Sequence, residues 1–199
     1  MKIVCIGDSL TYGYGVEQLD SWVHLVRKRT GLDLMNKGIN GDTTDGMLCR
    51  FEMDVLSLKP DWVFVMGGSN DLIMNVKPNI VESNIASMCR EALKKSIEPI
   101  IGIPPNVDAA NVREDWASYS NFSKVAEQLA KYRDRLLLYS RNSGIKKLDF
   151  YSEIEKRAIS GIGELYFDGL HMNETGHKIM ADIFCGFLMN NTTHCSKIK

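Results

Sequence analysis

The chain has 199 residues, of which 44% are hydrophobic and 25% are charged, values that are ordinary for a globular domain with a sizeable core. Its 24 basic and 25 acidic side chains give a formal net charge of −1, so we expect no broad basic surface for nucleic acid. No apolar run approaches the ~18 residues needed to span a bilayer, so we expect no integral membrane segment.

Strand patterns alternate with amphipathic helix patterns along the chain, which predicts an α/β fold with a parallel sheet and helices on both faces. Strands are predicted at residues 2–6, 33–36, 62–66, 100–103 and 147–150. Helices are predicted at residues 22–29, 44–58, 79–96 and 122–143, and a last helix begins after Asn173, a good N-cap. We predict one domain over residues 1–190 and a polar tail over residues 191–199.

Ser9 directly follows the first predicted strand, in the string Gly7-Asp8-Ser9-Leu10. Parallel α/β sheets bind ligands outside the carboxyl ends of their strands, so a serine at this turn is a candidate nucleophile. Gly, Asp and Ser are also common turn residues, and the string alone is equally typical of a plain turn. The interpretation therefore depends on the partners that a serine nucleophile requires.

A serine hydroxyl needs a base that removes its proton, usually a histidine oriented by a carboxylate. His171 follows Asp168 by three positions, a spacing that lets the carboxylate bind one ring nitrogen and leaves the other for the serine. Among the other histidines, His24 is predicted on an amphipathic helix and His194 in the polar tail. His177 is predicted on the last helix, facing solvent or the preceding loop.

Two glycine-containing turns offer N–H donors for the negative oxygen that develops on an attacked carbonyl. Residues 36–44 precede a predicted helix, and a glycine there lets backbone amides approach a ligand closely. Residues 67–71 follow the third predicted strand and offer a side-chain amide. Each turn taken alone is also consistent with ordinary loop chemistry.

Taken in chain order, four segments resemble the sequence blocks of the SGNH or GDSL hydrolases, which are serine esterases and lipases. They are Gly7-Asp8-Ser9-Leu10, Asn40-Gly41-Asp42-Thr43, Gly67-Gly68-Ser69-Asn70-Asp71 and Asp168-Gly169-Leu170-His171. The resemblance implies a flavodoxin-like three-layer α/β/α sandwich with a central parallel sheet of about five strands. It implies a catalytic triad of Ser9, Asp168 and His171. It also implies an oxyanion hole formed by the backbone amides of Ser9 and Gly41 and the side-chain amide of Asn70.

The resemblance implies hydrolysis of an ester or thioester of a small or lipid-like acyl group, through an acyl-enzyme and with no cofactor. The candidate substrate-binding residues are Leu10, Leu72, Ile73 and Met74. The stretch 72–76 is equally consistent with packing as the start of a helix. The connection 105–121 contains Trp116 and Tyr119, and it is either a lid or a surface excursion anchored by those aromatic rings.

Two other classes of function stay open at this point. A catalytically silent binding domain would use the same crevice, although every member of the triad is present. A metal-dependent hydrolase would need ligands without a recognised spacing, drawn from Asp8, Asp71, Asp168 and His171. We expect no metal, and a small ester as the binding partner; the oligomeric state is not predicted.

Five widely spaced cysteines, with no C-x-x-C pair, predict reduced thiols, several of them facing the core. They are Cys5, Cys49, Cys89, Cys185 and Cys195. The first residues lead straight into the strand that precedes Ser9, which argues against a cleaved signal peptide. We therefore expect a cytoplasmic protein.

Overall fold

A computed structural model describes residues 1–192 of the chain, so most of the predicted polar tail, with His194 and Cys195, lies outside the described residues. The strands are β1 (Lys2–Gly7), β2 (Asp33–Gly38), β3 (Trp62–Met66), β4 (Glu98–Ile103) and β5 (Lys146–Asp149). They form one parallel sheet in the order β2-β1-β3-β4-β5. This order is that of a flavodoxin-like sheet, and it confirms the predicted fold class.

Helices cover both faces of the sheet. They are α1 (Ser9–Tyr12), α2 (Trp22–Thr30), α3 (Thr44–Asp54), α4 (Ser69–Ile73), α5 (Pro78–Lys94), α6 (Glu114–Ala117), α7 (Phe122–Ser143), α8 (Phe150–Arg157) and α9 (Glu174–Asn191). Short 3₁₀ turns occur at Gln18–Asp20, Leu56–Leu58 and Ile162–Leu165. Within residues 1–192 no helix combines the length and the apolar character needed to cross a membrane.

The alternation of side chains along the buried strands divides the core into two layers. On β1, Val4 and Ile6 face one layer, which α3, α5 and α7 complete. Ile3 and Cys5 face the other layer, together with apolar side chains of α2, α8 and α9. Because all these strands are parallel and covered on both faces, their carboxyl ends meet at one edge of the sheet, where the connecting loops converge.

Several predicted element bounds differ from the observed ones by one or more residues, and the causes of two of these differences are local. The helix predicted at 44–58 ends at Asp54, because Val55 leaves the helical region (φ −126°, ψ −64°) and the chain continues in a 3₁₀ turn. The strand predicted at 147–150 ends one residue earlier. The Asp149 side chain accepts a hydrogen bond from the backbone N–H of Ser152, and this cap starts α8 at Phe150.

His177 is buried, so its predicted exposed position is wrong. Its side chain lies between α9 and α2, and Nδ1 accepts the backbone N–H of Trp22 at 3.3 Å. This contact caps the first turn of α2 and requires a neutral ring. Burial, together with the nearby His171, lowers the pKa of His177 from 6.5 to about 4.

The buried His177 predicts a loss of stability in mild acid. The unfolded chain takes up a proton below pH 6.5, whereas the folded chain resists it until about pH 4. We therefore expect the free energy of unfolding to fall by up to about 3 kcal/mol as the pH drops through this interval. Urea unfolding across this range measures the slope.

The variant His177→Asn retains an acceptor for the amide of Trp22 but does not titrate, so we expect a flatter pH dependence. His24→Asn removes the half-buried histidine of α2 and is the matched control, with the slope of the parent protein. Equal slopes for the parent and for His177→Asn would contradict this explanation.

Candidate active site

Three side chains from opposite ends of the chain align at the carboxyl edge of the sheet. Ser9 Oγ lies 3.0 Å from His171 Nε2, although the two residues are 162 positions apart. His171 Nδ1 lies 2.9 Å from Asp168 Oδ2. All three residues are buried. In this geometry the imidazole can take the hydroxyl proton while the carboxylate holds the opposite ring N–H.

The turn after β1 places Ser9 at the first position of α1. Asp8 Oδ1 caps this helix by accepting the backbone N–H of Leu10 at 2.9 Å. A Cβ at Gly7 would lie 2.1 Å from Thr11 Oγ1, so only glycine lets α1 fold back over the end of the strand. The position of the hydroxyl is therefore set by the tight turn.

The carboxyl group of Asp8, next to Ser9, has a raised pKa because of its surroundings. Burial raises the pKa of Asp8 to about 7, and the carboxylates of Asp71 and Asp42 act in the same direction. The hydrogen bond from Leu10 opposes the shift. At neutral pH this carboxyl group therefore holds a proton in a large share of molecules.

Asp168 accepts four hydrogen bonds and so fills its acceptor sites. The backbone amides of Leu170 and His171 donate to Oδ1 at 3.0 and 2.8 Å. His171 Nδ1 and the indole Nε1 of Trp116 meet at Oδ2, each at 2.9 Å. Burial disfavours the ionised carboxylate, but the hydrogen bonds from His171 and Leu170 outweigh burial and lower the pKa of Asp168 to about 2. Asp168 is therefore ionised at neutral pH.

The β4–α7 segment (residues 105–121) packs against the turn that holds Asp168. The backbone N–H of Asp108 donates to the carbonyl of Gly169 at 2.8 Å, and that of Arg113 donates to the carbonyl of Asp168 at 2.9 Å. The indole ring of Trp116 meets the His171 ring edge-on, with centroids 5.7 Å apart. In sequence, only the length of this segment and its aromatic rings indicate a role at the site.

The two turns predicted to supply oxyanion donors are bound to each other. The side-chain amide of Asn70 donates to the carbonyl of Asp42 at 2.9 Å. The next residue, Asp71, accepts the hydroxyl of Thr44 at 2.7 Å and its backbone N–H at 2.9 Å. Gly41, in the first turn, has a left-handed backbone (φ +76°). Asp71 thus fixes both turns, a role that its place in the sequence does not reveal.

The candidate ligands of the metal-dependent alternative have other partners in the structure. Asp71 is bound to Thr44, and Asp168 is bound to His171 and Trp116. In the part of the chain that the structure describes, no group of three or more His, Cys, Asp or Glu side chains is arranged to hold a metal ion.

An open cleft of about 490 Å³ adjoins the aligned side chains, and its wall is mainly apolar. It is lined by Gly41, Asn70, Ile73, Met74, Asn75, Trp116, Tyr119, Phe122 and Leu170. Of the predicted substrate-binding residues, Ile73 and Met74 line this cleft. Leu10 and Leu72 are instead buried in the two core layers, Leu10 in the layer of α2 and Leu72 in the layer of α5.

The sequence profile of the GDSL-like Lipase/Acylhydrolase family matches residues 5–179. The chain is 31% identical over 137 residues to the uncharacterized lipoprotein YqeF of Bacillus subtilis, a match that covers 62% of this chain and only 56% of that protein. It is 25% identical over 211 residues to an acetylxylan esterase of Geobacillus stearothermophilus, covering 92% of this chain and 91% of that protein.

The fold is shared with a solved member of the lipolytic protein G-D-S-L family from Veillonella parvula. The TM-score is 0.79 at 24% identity, over 97% of this chain and 98% of that chain.

A substitution at Gly169 tests the contact between the β4–α7 segment and the Asp168 turn. Gly169 has a left-handed backbone (φ +82°), and a Cβ there would lie 2.6 Å from Val112 Cα. We expect Gly169→Ala to lower the free energy of unfolding by ~2–4 kcal/mol, as measured by urea titration.

The matched control is Gly144→Ala. Gly144 has a similar backbone (φ +72°), but among residues 1–192 no atom of a neighbouring segment lies within 4 Å of where its Cβ would be. This substitution adds only the left-handed strain of an L-residue, ~1–2 kcal/mol. Equal losses at the two positions would show that the segment does not press on the turn.

Proposed function

The chain belongs to the GDSL-like lipase/acylhydrolase family, and we propose that it hydrolyses carboxylic esters with Ser9 as the nucleophile. The observation that supports this proposal most strongly is the continuous alignment of Ser9 Oγ, the His171 ring and the Asp168 carboxylate. A hydroxyl in contact with a buried imidazole, which is itself bound to an ionised carboxylate, is the arrangement that activates a serine.

In the first stage, His171 Nε2 takes the proton of Ser9 Oγ as this oxygen forms a bond to the ester carbonyl carbon. The carbonyl electrons move onto oxygen and give a tetrahedral oxyanion. When the carbonyl re-forms, the bond to the alcohol breaks and His171 returns the proton to the leaving oxygen. The product of this stage is an acyl group esterified to Ser9.

In the second stage, water takes the place of the alcohol. His171 Nε2 removes a proton from the water, whose oxygen attacks the acyl carbonyl, and the bond to Ser9 Oγ then breaks with return of the proton to the serine. The Asp168 carboxylate keeps the ring oriented and stabilises the imidazolium that forms in each stage.

We assign the oxyanion hole to the backbone amides of Ser9 and Gly41 and to the side chain of Asn70. The Asn70 amide has two hydrogens, and the contact with the carbonyl of Asp42 uses one of them. This contact orients the group, so that the second hydrogen can donate to the oxyanion. Donors that are fixed before the reaction stabilise the transition state without any cost of reorganisation.

We assign the apolar cleft to the acyl group of the substrate. Two proposed oxyanion donors, Gly41 and Asn70, lie at its wall, and Ile73, Met74 and Phe122 give it an apolar lining. Its volume of about 490 Å³ is within the usual range for small-molecule sites. A small or lipid-like acyl ester fits this lining, and a thioester presents the same carbonyl to Ser9.

The aligned triad also decides between an enzyme and a binding domain. A silent binding domain would need the cleft but not an aligned triad, so the alignment favours an enzyme. We also propose a cytoplasmic location, because Cys5, Cys49 and Cys89 are free thiols, as is usual for cysteines in a reducing compartment. Since one relative is named a lipoprotein, cell fractionation is the direct test of this location.

Two substitutions test the proposed mechanism. We expect Ser9→Ala to abolish hydrolysis of p-nitrophenyl esters, because the substitution removes the attacking oxygen. We expect Asn70→Ala to lower kcat by roughly a hundredfold to a thousandfold through loss of one oxyanion donor. Ser57→Ala, at an exposed serine whose hydroxyl bonds the carbonyl of Met53, is the control with full activity. Normal turnover by folded Ser9→Ala would overturn the mechanism.

A series of p-nitrophenyl esters tests the acyl cleft. We expect kcat/KM to rise by up to about fourfold for each added methylene while the acyl chain fills the apolar lining, because each buried methylene contributes ~0.8 kcal/mol. Ile73→Asp puts a charge on the lining and should remove this dependence while acetate ester hydrolysis persists. A series without dependence on acyl length in the unmodified protein would contradict the assignment.

A further inference from the structure

We propose that Trp116 is a positioning residue for the base, its indole N–H holding the Asp168 carboxylate in the orientation that His171 requires. The inference rests on the proposed ester hydrolysis and extends it to the β4–α7 segment. Trp116 Nε1 donates to Asp168 Oδ2 at 2.9 Å, and the same oxygen accepts His171 Nδ1 at 2.9 Å.

The four donors to Asp168 divide between its two oxygens. The amides of Leu170 and His171, from the same turn, hold Oδ1. At Oδ2 the partner other than the His171 ring is Trp116. The indole is therefore the donor that keeps Oδ2 in place while the ring changes charge during the reaction.

The indole also favours one protonation state of the pair. Indole Nε1–H donates and cannot accept, so its partner Oδ2 must be an acceptor, as in an ionised carboxylate. An ionised Asp168 then requires the proton of a neutral His171 ring on Nδ1, which leaves Nε2 free to accept the proton of Ser9. Trp116 thereby supports the tautomer that the base needs.

Trp116 is itself held in place. Its backbone N–H donates to the carbonyl of Arg113 at 3.0 Å, and the amide of Arg113 is bound to the carbonyl of Asp168 at 2.9 Å. The Arg113 guanidinium lies 5.9 Å from the centroid of the indole ring, and the His171 ring lies 5.7 Å from it. The indole thus contacts both the Arg113 guanidinium and the His171 ring, and its N–H is directed at the carboxylate.

The same indole also lines the cleft, so Trp116 has two roles, as a hydrogen-bond donor to Asp168 and as part of the apolar wall. Two substitutions separate these roles. Trp116→Phe removes the N–H donor and keeps an aromatic ring in the wall. Trp116→Ala removes both. A donor to Asp168 acts on kcat, whereas an apolar wall acts on the KM of long acyl esters.

The experiment uses the full chain with p-nitrophenyl acetate and p-nitrophenyl hexanoate. We expect Trp116→Phe to lower kcat on the order of tenfold for both esters, with KM changed by less than about twofold. We expect Trp116→Ala to lower kcat equally and, in addition, to raise KM for the hexanoate. Ser118→Ala removes a hydrogen bond within the same segment, to the carbonyl of Asp115, and is the control with unchanged kcat.

A proton NMR spectrum distinguishes a hydrogen bond from Trp116 to Asp168 from a purely structural role of Trp116. We expect the downfield resonance of the proton between His171 Nδ1 and Asp168 to shift in Trp116→Phe and to stay in Ser118→Ala. If Trp116→Phe fails to fold, the variant Asp168→Asn is measured instead. We expect the indole N–H resonance of Trp116 to shift in this variant, because its hydrogen-bond acceptor changes.

An unchanged kcat in Trp116→Phe, or a lowered kcat with an unmoved His171 resonance, would overturn the inference. An unmoved indole resonance in Asp168→Asn would do the same. Ser9→Ala assayed in parallel separates this failure from failure of the proposed function. If Ser9→Ala is inactive while Trp116→Phe is fully active, only the role of Trp116 is lost.

Discussion

The hydrogen bond between Ser9 Oγ and His171 Nε2 is the contact on which the proposed chemistry depends, and the parallel sheet makes it possible. It joins the loop after the first strand to the loop before the last helix. In a sheet with mixed strand directions these loops could lie at opposite edges. Here the carboxyl ends of the five strands share one edge, and Ser9 and the Asp168 turn meet there.

Much of this arrangement could be predicted from the sequence, because the signals are local. The apolar runs of β1 and β3, the spacing of apolar residues on α5 and α7, and the cap at Asn173 all correspond to elements of the structure. The Ser9, Gly41, Asn70 and Asp168–His171 segments each follow a strand or precede a helix. Their convergence could be inferred from the rule for parallel sheets rather than from any one string.

What could not be predicted depends on contacts between distant segments. The short helices α1, α4, α6 and α8 have too few residues for a periodic pattern. Side chains cap α1 and α8, whereas α4 and α6 have no side-chain cap. No local pattern marks His177 as buried, and its ring is enclosed where α9 packs against α2. The roles of Asp71 and Trp116 rest on hydrogen bonds to residues 27 and 52 positions away, which no local pattern encodes.

The most direct measurement of the central claim is peptide mapping by mass spectrometry after reaction of the folded protein with a fluorophosphonate. The activated oxygen displaces fluoride from phosphorus and keeps the phosphonyl group as a stable ester. The account predicts one phosphonylated peptide, containing Ser9, and a much slower reaction in His171→Ala. A protein that hydrolyses esters but has its label on another residue would contradict it.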